Sequence, residues 1–213
     1  MSRLLLPIAA ALLLVPAFPA GAQRDIIARA TSQHPVDNWR TIATDDDRGR
    51  IRRWRNNWVD AVARARAAGH GAEIDREGAL LDPDGGLAHA APPPGDYDCR
   101  TIKVGARSEG LLEYVSYPAF RCRLSLYGGR LHFTRLNGSQ RPVGVIFPDH
   151  DRRMIFLGTL QLGDETDAIR YSRDTERDMA GLVERIGPRR WRIGFPAPHF
   201  ESLLDVIELV PHR

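Results

Sequence analysis

The sequence predicts an α+β fold, in which an N-terminal helical segment precedes a small antiparallel β-barrel of about eight strands. Three observations lead to this prediction. Apolar residues in the first half of the chain recur at spacings of three and four, which is typical of an amphipathic helix. From position 97 onward, short runs with alternating apolar residues are separated by turn residues. The connections are too short for parallel crossovers, so the strands should pair antiparallel and can close into a barrel.

The first 22 residues are interpreted as an export signal. Arg3 supplies a positive charge, an apolar stretch follows to Phe18, and Ala20-Gly21-Ala22 has the small residues of a cleavage site. The alternative is a membrane anchor, but the run from Leu4 to Val15 is shorter than the roughly 20 residues of a spanning helix. We therefore expect cleavage after about Ala22, a periplasmic location and no transmembrane span in the mature chain.

The composition of the mature chain argues against nucleic acid as a partner. Removing 22 of 213 residues leaves about 191, and removing Arg3 leaves 29 basic side chains against 27 acidic ones, a net charge of +2. This modest charge is not that of a nucleic-acid-binding surface.

The cysteines predict one disulfide bond. Cys99 and Cys122 form an even pair in a chain expected in an oxidising compartment. The alternatives, a free nucleophile or a metal pair, lack a CxxC spacing and a companion cysteine. On the chain-entropy model, closing a loop of this length stabilises the fold by roughly 3 kcal/mol.

Residues 23–80 are predicted to be helical. Asp25–Ala30 suggests a short first helix, and the main helix should begin at TDDD with Thr44 as its N-cap. Glycines at 69 and 71 should end it, and a further turn is expected at Glu73–Leu81. The helix is flanked by arginines, so it either lies on a membrane surface or packs on a core with its arginines in solvent. The apolar stripe consists of Ile51, Trp54, Trp58, Val62 and Ala65.

Residues 81–96 are rich in Pro, Gly and Ala and predict a linker, which ends in Pro92-Pro93-Pro94. Residues 97–213 then form the predicted barrel domain, of lipocalin-like or inhibitor-like size. Gly128-Gly129 predicts a two-residue hairpin. The predicted strands are Tyr97–Val104, Glu113–Tyr127, Arg130–Leu136, Val143–Phe147, Met154–Leu162, Ile169–Tyr171, Met179–Ile186, Trp191–Phe195 and Asp205–Val210.

The motifs of common enzymes and cofactor sites are missing from the sequence. There is no GxSxG elbow, HExxH, phosphate loop or GxGxxG, so we expect no cofactor. Asp149, His150 and Asp151 offer at most three metal ligands from one loop, and Pro148 with the following arginines favours a polar surface turn. We therefore predict no metal site. Asp164 and Glu165 are either an acid/base pair or a solvated turn.

The segment RLNGSQRPVG, residues 135–144, is the best candidate for ligand binding. Asn-Gly alone suffices for a turn, yet several hydrogen-bonding side chains surround it. One interpretation is a loop that recognises an anionic or polar ligand through a planar arginine. The alternative is a turn whose polar groups bond to backbone or water. The candidate residues are Arg135, Asn137, Ser139, Gln140 and Arg141.

Several segments resemble the DUF4893 family. They include CRTIKVG, FRCR, LNGSQRPVG, RRMIFLGT, ERDMAGLVERIGPRRWR and ESLLDVIELVP, together with DDDRGRIRRWRNNWVDAVARARAAGHGAEI upstream. The resemblance runs from about Trp39 to Pro211. It implies an uncharacterised exported protein of alphaproteobacteria, and it assigns no activity to any position.

The sequence leaves three functional hypotheses open. The leading one is a non-enzymatic periplasmic binding module, which holds a small amphiphile inside the barrel or an envelope protein at its rim. The second is a hydrolase acting on envelope material, with Asp164, Glu165 or the 149–151 turn as its acidic groups. The third is a structural envelope factor that binds no small ligand.

Overall fold

The computed structural model describes residues 38–213. The predicted signal peptide, its cleavage site and the predicted helix at Asp25–Ala30 lie outside these residues. In the helical segment, Arg66–His70 forms a kink between two helices, with Gly69 at a φ of 98°, and a 3₁₀ turn lies at Gly78–Leu80. Its α-helices are α1 (Trp39–Ile42), α2 (Asp45–Arg52), α3 (Trp54–Ala65) and α4 (Gly71–Glu77).

Eight antiparallel strands form a closed barrel in which each strand pairs with the next and the last pairs with the first. The predicted fold class is therefore confirmed. The strands are β1 (Gly95–Ala106), β2 (Tyr114–Tyr127), β3 (Arg130–Arg135), β4 (Gln140–His150), β5 (Arg153–Leu162), β6 (Asp178–Gly187), β7 (Arg190–Pro196) and β8 (Ser202–Pro211).

Local sequence signals place most of these elements correctly. Gly128 and Gly129 both have positive φ and join β2 to β3, with Tyr127 opposite Arg130. This is the predicted hairpin. The Thr44 hydroxyl accepts a hydrogen bond from the Asp47 backbone N–H at 3.2 Å, so the predicted N-cap is confirmed.

Two predictions of secondary structure are wrong. Ile169–Tyr171 is not a strand but part of the loop between β5 and β6. The Tyr171 hydroxyl donates to the Asp47 carboxylate and accepts from the Thr44 backbone N–H at 3.0 Å, so this loop packs on the helical segment. The predicted main helix is also interrupted at Arg53, which separates α2 from α3.

The interior of the barrel is filled by side chains from all eight strands. Three aromatic rings lie at its centre. Phe156 contacts Phe133 and Phe195 edge to face, with ring centroids 6.0 and 5.4 Å apart. A Cβ added at Gly144 or Gly158 would come within 2.6 Å of Phe156 Cζ, so these glycines make room for the central ring.

The Cys99–Cys122 disulfide lies in this interior core and joins β1 to β2. Both residues are fully buried, and their Cα atoms are 6.0 Å apart, which is a normal separation for a disulfide. The predicted bond is therefore present.

The outer faces of several strands are apolar, and the helical segment covers them. α3 packs with α4 on β1 and β8, around a fully buried Trp58. α1 and α2 pack on β4, β5 and β6. The helical segment thus packs on a core, as the second of the two interpretations required.

A buried arginine attaches the end of the helical segment to the barrel. Arg192 is completely buried and pairs with Glu184 at 2.6 Å. Its guanidinium also donates to the backbone carbonyls of Ala79 and Asp82 at 2.9 and 2.6 Å, and lies over the ring of Trp58. Five donors in one planar group allow this combination of contacts.

Replacing Gly194 by alanine should destabilise the protein. A Cβ at this position would lie 2.3 Å from Trp58 Cζ3, so the indole ring must move out of its pocket on the barrel wall. Overpacking of this kind costs about 2 kcal/mol of unfolding free energy. Urea titration followed by tryptophan fluorescence measures the loss.

Gly71→Ala is the matched control, because a Cβ there makes only an ordinary contact at 3.7 Å and alanine favours a helix. Equal unfolding midpoints for the two variants would show that Trp58 is not held against Gly194.

Candidate functional site at the barrel mouth

A cleft opens at the end of the barrel where β1 is joined to β2, β3 to β4, β5 to β6, and β7 to β8. Its volume is about 600 Å³, which includes open solvent. Phe195, one of the three central aromatic residues, lies at its base. The lining residues are Arg50, Thr101, Lys103, Arg135, Gln140, Pro142, Leu160, Glu176, Arg177, Asp178, Met179, Ala180, Phe195, Pro198, His199, Phe200, Asp205 and Ile207.

Arg135 is the most unusual charge in the cleft. Its side chain is buried at the end of β3, where the alternation of Leu131 and Phe133 turns it inward. The guanidinium donates to the Asn137 carbonyl at 3.1 Å and to the Thr101 hydroxyl at 3.3 Å, and lies 3.6 Å from the ring centroid of Phe120. Within residues 38–213, no carboxylate lies within salt-bridge distance of it.

The environment of Arg135 lowers its affinity for the proton but leaves it charged. Burial lowers the pKa of the guanidinium to about 10. At neutral pH the group therefore remains a cation, and it has unused capacity to bind an anion.

Lys103 and Asp205 form a paired charge beside Arg135. The ammonium lies 2.9 Å from Asp205 and 3.3 Å from Glu201, and Asp205 also accepts from the Ser202 hydroxyl. Burial alone lowers the pKa of Lys103, but the two carboxylates more than offset this and hold it above its ordinary value. Lys103 is therefore neutralised by the protein itself and is not a free cation.

Buried polar atoms without hydrogen-bond partners lie on the other side of the cleft. Three of them belong to cleft residues: the acceptor Asp178 Oδ2, the ring nitrogen His199 Nε2 and the donor Arg50 Nε. Arg50 also donates to the Asp178 backbone carbonyl at 3.2 Å. The other oxygen of Asp178 accepts from the Ser172 backbone N–H at 2.9 Å. Burial raises the pKa of Asp178, and the Ser172 hydrogen bond acts in the opposite direction.

The candidate residues of segment 135–144 lie in different environments. Arg135 and Gln140 line the cleft, and Gln140 donates to Glu201 at 3.4 Å. Asn137 accepts from the Arg121 backbone N–H at 2.9 Å, and Ser139 is exposed, with its backbone packed near Gly163.

Arg141 holds two loops together. Its guanidinium donates to the backbone carbonyls of Gly138, Leu162, Gly163 and Glu165, at distances between 2.8 and 3.2 Å. These contacts join the β3–β4 loop to the β5–β6 loop. Arg141 therefore shapes the rim of the cleft instead of lining it.

The acidic residues at 149–151, at the end of β4 and the turn after it, form a structural contact site. Asp149 accepts from the Trp39 indole N–H at 2.9 Å and pairs with Arg40 at 2.9 Å, which attaches α1 to β4. Asp151 accepts from the His89 backbone N–H at 3.2 Å. The sequence predicts a polar surface turn here, but Asp149 and His150 end β4, and the two aspartates hold distant segments on the barrel.

The carboxylates of Asp164 and Glu165 have different environments. Glu165 accepts from the Leu162 backbone N–H at 2.8 Å and pairs with Arg177, which lowers its pKa. Asp164 is exposed. The two side chains do not form a carboxylate pair facing a common cleft.

Residues 38–213 contain no group of three or more His, Cys, Asp or Glu side chains positioned to hold a metal ion. In the same range, every helix is too short or too polar to cross a membrane.

Sequence reasoning missed Lys103, Asp205, Asp178 and His199. Lys103 is the only lysine in the chain. It lies four residues after Cys99 on β1 and therefore on the same face, so the sequence pattern could have predicted that it points into the barrel. No comparable signal marks the other three, because they reach the cleft only when the barrel closes.

The fold and the cleft together define a small closed antiparallel barrel with a helical segment on its outer wall and a polar cleft at one end. A family model described as a domain of unknown function, DUF4893, matches residues 39–209. The chain belongs to this family, as the resemblance of its motifs implied. Searches of curated proteins and of solved structures each gave no match.

The Lys103–Asp205 pair should obey the energetics of a buried ion pair. Asp205→Asn leaves the ammonium with only the partly exposed Glu201, and we expect a loss of about 3 kcal/mol of unfolding free energy. The double variant Lys103→Met with Asp205→Asn should lose less, because no buried charge is left unpaired. Chemical denaturation of both variants tests this, and a double variant less stable than the single one would refute it.

Proposed function

We propose that this protein is a non-enzymatic binding module for a small anionic amphiphile, which it holds at the mouth of the barrel. The observation that supports this most directly is Arg135, a buried cation with no carboxylate partner in residues 38–213. A carboxylate or phosphate group bound there would receive charge-assisted hydrogen bonds in a partly desolvated site.

The apolar side chains of the cleft suit the other part of such a ligand. Leu160 and Met179 line its wall, Phe195 lies at its base, and Phe200 on the β7–β8 loop is 44% exposed at the rim. A ligand with an anionic group at Arg135 can therefore place its hydrocarbon part against these residues and toward the outside.

The filled interior of the barrel determines which end of the ligand enters the cleft first. In barrels that bind a ligand tail-first, the interior must be open. Here the Phe133, Phe156 and Phe195 rings occupy it, so we place the amphiphile at the mouth and not inside the barrel, where the sequence led us to expect it. We infer that the anionic head enters first, and that the hydrocarbon part stays in the outer cleft or is shared with a partner at the rim.

Octanoate and 1-octanol provide a direct test of the anion site. Isothermal titration calorimetry should detect octanoate binding that is at least tenfold tighter than octanol binding, since only octanoate can use the Arg135 charge. Arg135→Gln should weaken octanoate binding about tenfold or more, as expected for lost hydrogen bonds to a charged group.

Arg123→Gln is the matched control, because it removes an exposed arginine of β2 that pairs with Asp96 outside the cleft. Circular dichroism and thermal unfolding establish that each variant is folded. Equal affinity for octanoate and octanol, or an Arg135→Gln variant that binds octanoate normally, would reject the proposed function.

We also propose that the protein acts in the periplasm. The signal-like residues 1–22 support this, and so does the Cys99–Cys122 bond, because disulfides persist in oxidising compartments. Osmotic shock of the producing cells should release a chain that begins at about Gln23 and migrates differently with and without reductant. A chain that stays in the spheroplasts with residues 1–22 attached would contradict export.

A further inference from the structure

The charges around the cleft pair with one another in all but a few cases. Lys103 pairs with Asp205, Arg50 with Asp47, and Arg177 with Glu165. Removing these pairs leaves a small set of charged groups whose partners the described residues do not supply. This set determines what kind of ligand complements the cleft.

On one side of the cleft, the remaining charge is positive. Arg135 is a cation at the end of β3, without a carboxylate in salt-bridge distance among residues 38–213. On the other side, the remaining charges are negative. Asp178 at the start of β6 and Glu176 before it have no arginine or lysine within salt-bridge distance in the same range of the chain.

The order of strands places these charges on different sides of the mouth. β3 and β6 are three positions apart in a ring of eight strands, and β7, which leads to His199, is four positions from β3. Leu160, Met179 and Phe195 contribute apolar surface to the same cleft. A ligand that reaches both sides therefore has polar groups at two ends and an apolar part between them.

The acidic side has open hydrogen-bonding positions. Asp178 is only 2% exposed, and its Oδ2 atom has no hydrogen-bond partner. His199 Nε2 is also buried without a partner, while its Nδ1 lies 3.9 Å from Glu176. With a proton on Nδ1, His199 Nε2 and Asp178 Oδ2 both accept hydrogen bonds. Buried acceptors of this kind are normally satisfied, and a donor group of a bound ligand is one way to satisfy both.

We propose that the ligand of this cleft is a zwitterion, in which a carboxylate binds Arg135 and an ammonium group binds Asp178 and His199. An ammonium supplies three donors and a positive charge, which matches two acceptors beside unpaired carboxylates. The ligand class is thus an amino-carboxylate with an apolar spacer. This inference rests on the proposed function, because it requires the anion site at Arg135.

The proposed ammonium site at Asp178 and His199 can be tested by comparing straight-chain ω-amino carboxylates with alkanoates of the same length. Calorimetric titrations would use 4-aminobutanoate, 6-aminohexanoate and 8-aminooctanoate, with butanoate, hexanoate and octanoate as partners. The amino group makes the probe less apolar and costs desolvation, so a preference for it must come from the acidic side of the cleft. We expect one length to bind about tenfold more tightly than its alkanoate.

Asp178→Asn should abolish this preference. The remaining amide oxygen can still accept from the Ser172 backbone N–H, but the charge and the free acceptor are lost. We expect the affinity for the preferred amino compound to fall about tenfold and that for the alkanoate to change less than twofold. Asp164→Asn is the control, since it removes an exposed carboxylate from the β5–β6 loop that precedes Asp178, and Asp164 does not line the cleft.

The outcomes separate the two proposals. If neither probe series binds, the proposed anion site is wrong and the zwitterion proposal falls with it. If alkanoates bind at least as tightly as amino compounds at every length, or Asp178→Asn keeps the preference, the zwitterion proposal is overturned while the anion site stands. A crystal structure with an alkanoate at Arg135 and only water on Asp178 would agree with that second outcome.

Discussion

The edge-to-face packing of Phe133, Phe156 and Phe195 across the barrel interior is the interaction on which the rest of the structure depends. An eight-stranded barrel is just wide enough for side chains to fill, and here the rings meet edge to face at centroid distances of 5.4 to 6.0 Å. Gly144 and Gly158 lack the Cβ atoms that would collide with the central ring. Because the interior is filled, polar residues that face inward collect at one end, and this end becomes the cleft.

The closed barrel also explains why the helical segment is needed. Ile102, Val104, Leu204 and Val206 are fully buried although they face outward from the barrel, because α3 and α4 cover them. The segment is held by arginines as well as by apolar contacts. Arg192 binds several carbonyls near the end of the segment, and Arg100 pairs with Glu77 of α4 and Glu208 of β8. The high arginine content therefore supports tertiary attachment, through a planar group that binds carbonyls and carboxylates alike.

Charge pairing gives the cleft its chemical character. Most of its ionic groups are neutralised within the protein, as Lys103 is by Asp205 and Glu201. An unpaired buried charge lowers stability, so one that persists in a folded protein calls for an explanation beyond the fold. Arg135 and Asp178 are of this kind, and the proposed ligand provides the missing partners. In the segment LNGSQRPVG, Arg141 supports the loops and Gln140 reaches the cleft.

The sequence by itself determined the features that depend on neighbouring residues. The Gly128-Gly129 hairpin, the Thr44 cap, the strand alternation that turns Arg135 inward and the single possible disulfide all follow from local chemistry or from the cysteine count. Only the tertiary structure decided which distant groups meet. Asp149 contacts Trp39 across 110 positions, and Asp178 and His199 reach one cleft from different connections. These contacts depend on the register of the strands and on the closure of the barrel. Side chains that converge in this way have no characteristic spacing in the sequence.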